Sequence, residues 1–217
     1  MTITRRTSVP GPRLSGWLDR FAAAQGPLTV TATDAGLEAA AANGARAVLA
    51  APWPEDGRPG RGPDDVARLA ALAGQSRTVG LVLVRRGGWA VGVAREGRLL
   101  RSKTGSRYVQ GRTSAGGGSQ QRYARRRANQ ADALVEAAAS AAAALFAAAA
   151  AEDAAPQYVA AGGDRLLISQ LRESRALQQW SRVPLLRPVE VQDPNLASLR
   201  RAAADSCSVA VTIHVPD

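Results

Sequence analysis

The chain has 217 residues, of which 46% are hydrophobic, and it carries a formal net charge of +10 at pH 7. This charge predicts a polyanionic partner such as a nucleic acid. The single cysteine and the single histidine exclude a disulfide framework and a Cys/His zinc site, and they argue against a histidine-based catalytic triad.

Residues 14–217 are predicted to form a single domain. A flexible tail is predicted before it, at 1–13. Gly26–Pro27 and Asn43–Gly44 are typical of helix ends, because such pairs cannot continue a helix. This part is therefore predicted to contain helices at 16–25 and 34–42, strands at 28–33 and 45–51, a Pro/Gly-rich loop at 52–63, and a third helix that starts at 64–65.

The middle of the chain is predicted to form a three-stranded antiparallel meander. Thr78–Val84 is a nearly continuous apolar run, which is typical of a strand buried on both faces. Tight turns at 85–88 and 96–97 return the chain as two further strands. The meander leads into a glycine-rich loop at 111–121, which we expect to be mobile because glycine runs do not settle into helices or strands.

A long helix is predicted after this loop, from about residue 121 to residue 150. Its second half carries an apolar stripe that includes Leu134 and Leu145, so this half is expected to pack while the first half projects. Alanine dominates 137–151 and is too weakly apolar to indicate a membrane span.

The last part of the chain alternates strands and helices. The predicted elements are a strand at 158–161, a helix capped by Asp164, a short strand at 189–191, a helix capped by Asp193, and a strand at 208–215. Together with the meander, this order predicts an α/β (α+β) fold in which a mixed β-sheet is covered by helices.

Basic residues flank the glycine-rich loop on both sides. A helix N-terminus already carries about half a positive charge, so arginines at the start of the long helix are unfavourable unless an anion binds there. We therefore expect a phosphate-bearing partner. The segment lacks the spacing of a P-loop, and no carboxylate that could bind Mg²⁺ lies nearby in the sequence, which argues against a nucleotide site.

The order of motifs around this loop resembles the catalytic loop of the Vms-like release factor family. Gly117-Gly118-Ser119-Gln120 is preceded by Lys103-Thr104-x-x-Arg107-Tyr108 and followed by a basic helix. The chain is similar to the actinobacterial-type, single-domain branch, which is related to the peptidyl-tRNA-hydrolysing middle domain of eukaryotic and archaeal class I release factors. The resemblance implies the fold of that middle domain, with an RNase H-like topology.

The resemblance also implies a hydrolase that acts on peptidyl-tRNA on stalled large ribosomal subunits, with help from ribosomal RNA. Gln120 is the implied catalytic residue, because its neutral amide can orient a nucleophile, and it shares the GGSQ loop with Gly117, Gly118 and Ser119. No metal ion or other cofactor and no membrane partner are expected, and we expect a cytoplasmic monomer. The implied RNA-binding residues are Lys103, Arg107, Tyr108, Arg112, Arg122, Arg125, Arg126 and Arg127.

Several alternatives stay open. Ser119 interrupts the Gly-Gly-Gln of class I release factors, and Gln121 is a second candidate for the working amide. The same loop could instead cut the tRNA near its 3′ CCA end, or the chain could be a non-enzymatic factor that binds the ribosome or RNA. No codon-recognition domain is visible in the sequence, which favours ribosome rescue over stop-codon decoding.

Overall fold

The computed structural model describes residues 2–106 and 119–216, and for 119–128 it describes the backbone alone. The chain divides into two compact units, whereas the sequence indicated a single domain over 14–217. The terminal unit comprises Met1–Ser76 and Ala204–Asp217, and the central unit comprises Arg77–Ala203. They are separate because the two ends of the chain share a sheet and a hydrophobic core of their own.

The terminal unit consists of a five-stranded sheet with helices on one face. Its elements are β1 (Thr2–Val9), α1 (Leu14–Gln25), β2 (Leu28–Thr33), β3 (Gly36–Ala41), β4 (Arg46–Ala50), α2 (Asp65–Ala73) and β9 (Val209–Pro216). The strands pair antiparallel in the order β1-β9-β4-β3-β2. Leu18 and Phe21 of α1 and Leu69 of α2 pack with Leu49 and Val211 of the sheet in one buried cluster.

Strand β1 replaces the flexible tail that was predicted for 1–13. It pairs with β9 along its whole length, from Thr2 opposite Pro216 to Val9 opposite Val209. This pairing satisfies those backbone amides and carbonyls of β1 that face β9, which have no partner nearby in the sequence. The predicted tail is therefore part of the sheet, because its partner lies at the other end of the chain.

Strand β3 replaces the helix that was predicted for 34–42. Alanine and glutamate favour a helix there, but the segment lies between two strands and alternates half-buried with buried residues. Gly36 has φ +150°, and a Cβ added to it would lie 2.1 Å from the carbonyl oxygen of Leu49, so the chain turns here as only glycine permits. Pairing with β2 and β4 overrides the local helix propensity.

The other predictions for this unit are confirmed. Helix α1 ends at Gly26, strand β2 spans the predicted residues, and β4 falls within the predicted 45–51. Asp64 caps α2, because its side chain accepts a 2.8 Å hydrogen bond from the Ala67 amide. The segment 52–63 has no helix or strand, and its Trp53 is buried and donates from Nε1 to the Leu72 carbonyl at 3.0 Å.

The central unit confirms the predicted meander and the mixed sheet. Its strands are β5 (Thr78–Arg85), β6 (Gly88–Arg95), β7 (Arg98–Ser106) and β8 (Tyr158–Gly163), in the order β7-β6-β5-β8. The first three pair antiparallel, and β8 pairs parallel to β5. The fold is therefore the mixed α/β (α+β) class with helices covering the sheet, as predicted.

The long helix α3 (Ser119–Ala150) forms the main cover of this sheet. Phe146 is 1% exposed, and its ring lies where a Cβ on Gly80 of β5 would come within 2.5 Å of it, so the ring rests directly on the strand backbone. Within the described residues, one segment, Asn129–Ala150, is long and apolar enough by length and composition to cross a membrane. It is the core helix of this unit, and 44% of the most apolar window is buried.

The C-terminal part of the central unit differs from the prediction in two places. Val189 makes only an isolated bridge to Gly162, so 189–191 is not a regular strand. Helix α4 (Arg165–Glu173) is capped by Asp164 as predicted, but helix α5 (Leu196–Ser206) is capped by Asn195 and not by Asp193. Asn195 and Ser198 exchange hydrogen bonds of 2.8 and 2.9 Å between side chain and backbone, which satisfies two amides at the helix start.

Candidate nucleic-acid interface

The net positive charge of the protein lies in the central unit. This unit contains twenty Lys and Arg and nine Asp and Glu, a net charge of +11, whereas the terminal unit contains eight and nine, a net charge of −1. A uniform compositional bias would have raised the charge of both units. The polyanion-binding surface predicted from the overall charge is therefore expected on the central unit.

The glycine-rich segment leaves the central sheet at a defined end. Strand β7 ends at Ser106, which is paired with Gly88 at the start of β6, and Gly88 is paired with Arg85 at the end of β5. Strand β8 ends at the same side, because it runs parallel to β5 and Gly163 is paired with Val84. We call this side the loop end of the sheet.

The predicted site residues that the structure describes lie on β7, which precedes the loop, and on α3, which follows it. Lys103 is exposed on β7 and is paired with Val91. Ser119 and Gln120 are the first two residues of α3, so the helix begins before the predicted loop boundary at 121. Arg122, Arg125, Arg126 and Arg127 follow on the α3 backbone, and Arg107, Tyr108, Arg112, Gly117 and Gly118 lie outside the described residues.

The position of Gln120 places it at the positive end of a long helix. The first four amides of an α-helix have no acceptor within the helix, and they favour anions. The helix of 32 residues is about 48 Å long, whereas the nine residues of β7 span about 30 Å. The described side chains of α3 begin at Asn129, and Leu134 is the first of them that is buried.

The opposite end of α3 is fixed to the meander by two arginines. Arg95 of β6 donates to the Asp153 carbonyl at 2.9 Å and to Thr78 Oγ1 at 3.0 Å, and Arg101 of β7 forms an ion pair with Glu152. Cations are favourable at a helix C-terminus, where the dipole is negative. The hydrogen bond and the charge of Arg101 lower the pKa of Glu152, although both groups are exposed and the pair contributes little stability. These contacts hold one end of α3 while the other carries Gln120.

Arg86 is a cation of the loop end that the sequence analysis did not single out. It lies in the β5–β6 turn, its side chain is 74% exposed, and its Nε is 3.9 Å from Asp164 Oδ2. The neighbouring Arg85 has a structural role, because its Nη1 donates hydrogen bonds to the carbonyls of Val191 and Gln192, both at 3.1 Å. The sequence signal was the pair of arginines before Gly87–Gly88, but only the strand register places that turn beside the start of the loop.

Metal chemistry has no visible site in the described part of the chain. Within residues 2–106 and 119–216, no group of three or more His, Cys, Asp or Glu side chains is arranged to hold a metal ion. The sequence of the loop and of the start of α3 supplies amides and guanidinium groups, which can bind phosphate and orient a nucleophile.

One comparison with known families agrees with the resemblance seen in the sequence. No curated protein matches the chain. The chain is similar to the crystal structure of an archaeal translation termination factor, aRF1, with 19% identity over 59% of this chain and 34% of that chain and a TM-score of 0.44. It is also similar to a structure described as an archaeal protein, with 17% identity over 76% of this chain and 48% of that chain and a TM-score of 0.40. The chain thus spans a third to a half of the length of these structures. A family model described as Actinobacteria/chloroflexi VLRF1 release factor matches residues 77–212, more than half of the chain and all of the central unit. The chain therefore belongs to the VLRF1 release factor family of Actinobacteria and Chloroflexi.

Proposed function

We propose that this protein is a ribosome rescue factor that hydrolyses peptidyl-tRNA on stalled large ribosomal subunits in the cytoplasm. The observation that carries the proposal is the coincidence of the family match with the central unit, whose net charge is +11 whereas that of the terminal unit is −1. The Gln120 segment begins α3 at the loop end of this unit. A positively charged unit that carries a neutral amide at the start of a helix suits a site that is crowded with RNA phosphates.

The proposed reaction is the hydrolysis of the ester between the nascent peptide and the terminal ribose of the tRNA. The oxygen of a water molecule attacks the ester carbonyl, the bond from the carbonyl carbon to the ribose oxygen breaks, and the proton of the water passes to that ribose oxygen. Gln120 cannot be a general base, because a carboxamide does not accept a proton at neutral pH, so its role is to orient the water near the ester. Gly117 and Gly118 let the backbone approach RNA closely, and Ser119 begins the helix that holds Gln120.

The cations around the loop would bind the RNA backbone. Lys103 lies on β7, which precedes the loop, and Arg86 lies in the β5–β6 turn at the loop end. The arginines that open α3 follow the loop. Tyr108 would stack on a base, as aromatic side chains commonly do with unpaired RNA. We propose that Arg107, Arg112, Arg122, Arg125, Arg126 and Arg127 complete this phosphate-binding set.

The test of this proposal is a release assay with purified large subunits that carry peptidyl-tRNA. We expect the wild-type chain to liberate the peptide faster than buffer alone. Binding to the subunits without release would favour the alternative of a non-enzymatic ribosome-binding factor. Absence of both binding and release would contradict the proposal as a whole.

Binding to large subunits is expected to weaken steeply with salt, because each phosphate contact releases counterions. Each contact contributes about 0.7–0.9 to the slope of the logarithm of affinity against the logarithm of salt concentration. Replacing Arg125, Arg126 and Arg127 together by alanine should therefore reduce this slope by about 2–3. The measurement is co-sedimentation with subunits over a salt series.

The control for this experiment is Arg68→Ala in the terminal unit. Arg68 is equally a surface arginine, and it is paired with Asp65 at 2.6 Å on a unit whose net charge is −1. We expect its removal to leave the salt slope unchanged. A slope that is flat for the wild type, or that falls equally for Arg68→Ala, would contradict the assignment of RNA binding to the central unit.

A further inference from the structure

The terminal unit leaves one edge of its sheet without protection. Strand β2 is the outermost strand, and among the described residues no strand pairs with its outer side. All residues from Thr29 to Thr33 are exposed, including Val30 at 39%, which lies on the same face as the core residues of β3. Their sequence, Thr-Val-Thr-Ala-Thr, has high strand propensity and contains no charge and no proline. Natural proteins usually guard such an edge with charges, prolines or bulges, so an unguarded edge calls for a partner.

The opposite edge of the same sheet is guarded. Strand β1 is outermost there, and it carries Arg5 and Arg6 at its centre, both exposed. If β1 paired antiparallel with β1 of a second molecule in full overlap, these arginines would lie opposite or next to each other, which is destabilising. The contrast between the two edges is therefore one of charge: β1 repels its own copy and β2 does not.

Strand β2 is also complementary to itself. An antiparallel pair centred on Thr31 places Thr31 opposite Thr31, Val30 opposite Ala32, and Thr29 opposite Thr33. Between Thr29 and Thr33 the side chains that meet on each face then have matching polarity. Because Leu28, Val30 and Ala32 pair with the buried Ala41, Ala39 and Leu37 of β3, the apolar face of the sheet would continue from one molecule into the next.

We propose that β2 is the interface with a second copy of this chain, which pairs antiparallel through β2 about a twofold axis at Thr31. The two five-stranded sheets become one continuous sheet. The terminal unit, which carries β2, has a net charge of −1, whereas the central unit has +11. This proposal replaces the monomer expected from the sequence, and it does not depend on the proposed reaction.

The association is expected to be weak and dependent on concentration. Five residues on each side, Thr29–Thr33, form the strand pair, fewer than the roughly 20–30 residues per partner in an interface of standard size. The proposed contact therefore belongs to the class of transient interfaces. The average mass of the full chain should rise from that of one molecule, 22.5 kDa, towards twice that value as concentration increases.

The position of Thr31 on the twofold axis permits a decisive test. In Thr31→Lys two lysines oppose each other, and in Thr31→Glu two glutamates oppose each other, so each variant alone should dimerise about two- to fivefold more weakly than the wild type. An equimolar mixture places Lys opposite Glu and should restore association. Sedimentation equilibrium gives the dissociation constants, and native mass spectrometry identifies the mixed dimer.

Two controls keep the test interpretable. Thr2→Lys adds the same charge to the guarded edge, where Thr2 is exposed on β1, and it should leave association unchanged. The Thr31 side chain points away from the α1–α2 layer but lies opposite Glu38 of β3, so Thr31→Glu should lower the thermal unfolding temperature slightly and Thr31→Lys should not. Thermal unfolding should show that both variants are folded at the temperature of the sedimentation experiment. The proposal is overturned if the wild type stays at the mass of one chain at every concentration, or if either Thr31 variant alone associates as the wild type does.

Discussion

Replacing Gln120 by alanine is expected to slow peptide release about 100-fold, because the amide that orients the nucleophile is lost while the rest of the loop remains. Alanine is a good helix former, so α3 should still begin at the same place. The surrounding arginines are retained, so binding to the large subunit should not change. The measurement is the single-turnover rate of peptide release at saturating protein concentration, together with the dissociation constant of the complex.

The matched control is Gln121→Ala, which removes the same chemical group one residue further along the same helix. Successive helical residues point in directions about 100° apart, so the two amides cannot occupy the same position relative to the substrate. We expect Gln121→Ala to release peptide close to the wild-type rate. If Gln121→Ala is slow and Gln120→Ala is not, the catalytic amide is that of Gln121. If both variants release peptide at the wild-type rate, neither glutamine orients the nucleophile.

Replacing Phe146 by alanine is expected to lower the free energy of unfolding of the central unit by about 3–5 kcal/mol. The ring is fully buried against Gly80, and it contacts the Trp180 ring edge-on at 5.5 Å between centroids. Glycine at position 80 leaves no side chain that could move into the space, so a cavity should remain. Denaturant unfolding followed by far-ultraviolet circular dichroism measures the loss, because α3 contributes much of the helix signal.

Leu166→Ala serves as the control for this experiment. Leu166 lies in the first turn of α4 and is 71% exposed, so its truncation should change the free energy of unfolding by less than about 0.5 kcal/mol. A similar small loss for Phe146→Ala would mean that α3 is not held on the sheet by this contact. The account of α3 as a rigid mount for Gln120 would then have to be abandoned.

The fold of the central unit could be predicted because its signals are local. An apolar run, two glycine-containing turns and a long alanine-rich stripe identify β5, β6, β7 and α3 with little reference to distant residues. The terminal unit depends on pairing between the two ends of the chain. Strand β1 meets β9 across some 200 residues, and β3 forms only because β2 and β4 lie beside it, against the helix propensity of its alanines.

The candidate site shows the same division between local and tertiary information. The order of glycines, Gln120 and arginines could be recognised from the sequence, and membership of the release factor family is now shown by the match over residues 77–212. Arg86 could not be assigned to the site, because its place beside Ser106 depends on the register of β5, β6 and β7. The difference in net charge between the two units could be calculated only once the bounds of the units were known.

The central claim is that this chain hydrolyses the ester of peptidyl-tRNA. Its most direct test is to quantify both products of one reaction on stalled large subunits, the free peptide and the 3′ end of the tRNA. Ester hydrolysis predicts peptide and tRNA in equal amounts, with the tRNA retaining an intact 3′ CCA end. A tRNA shortened at its 3′ end would show that the loop cuts RNA instead, and no peptide release above buffer would contradict the claim.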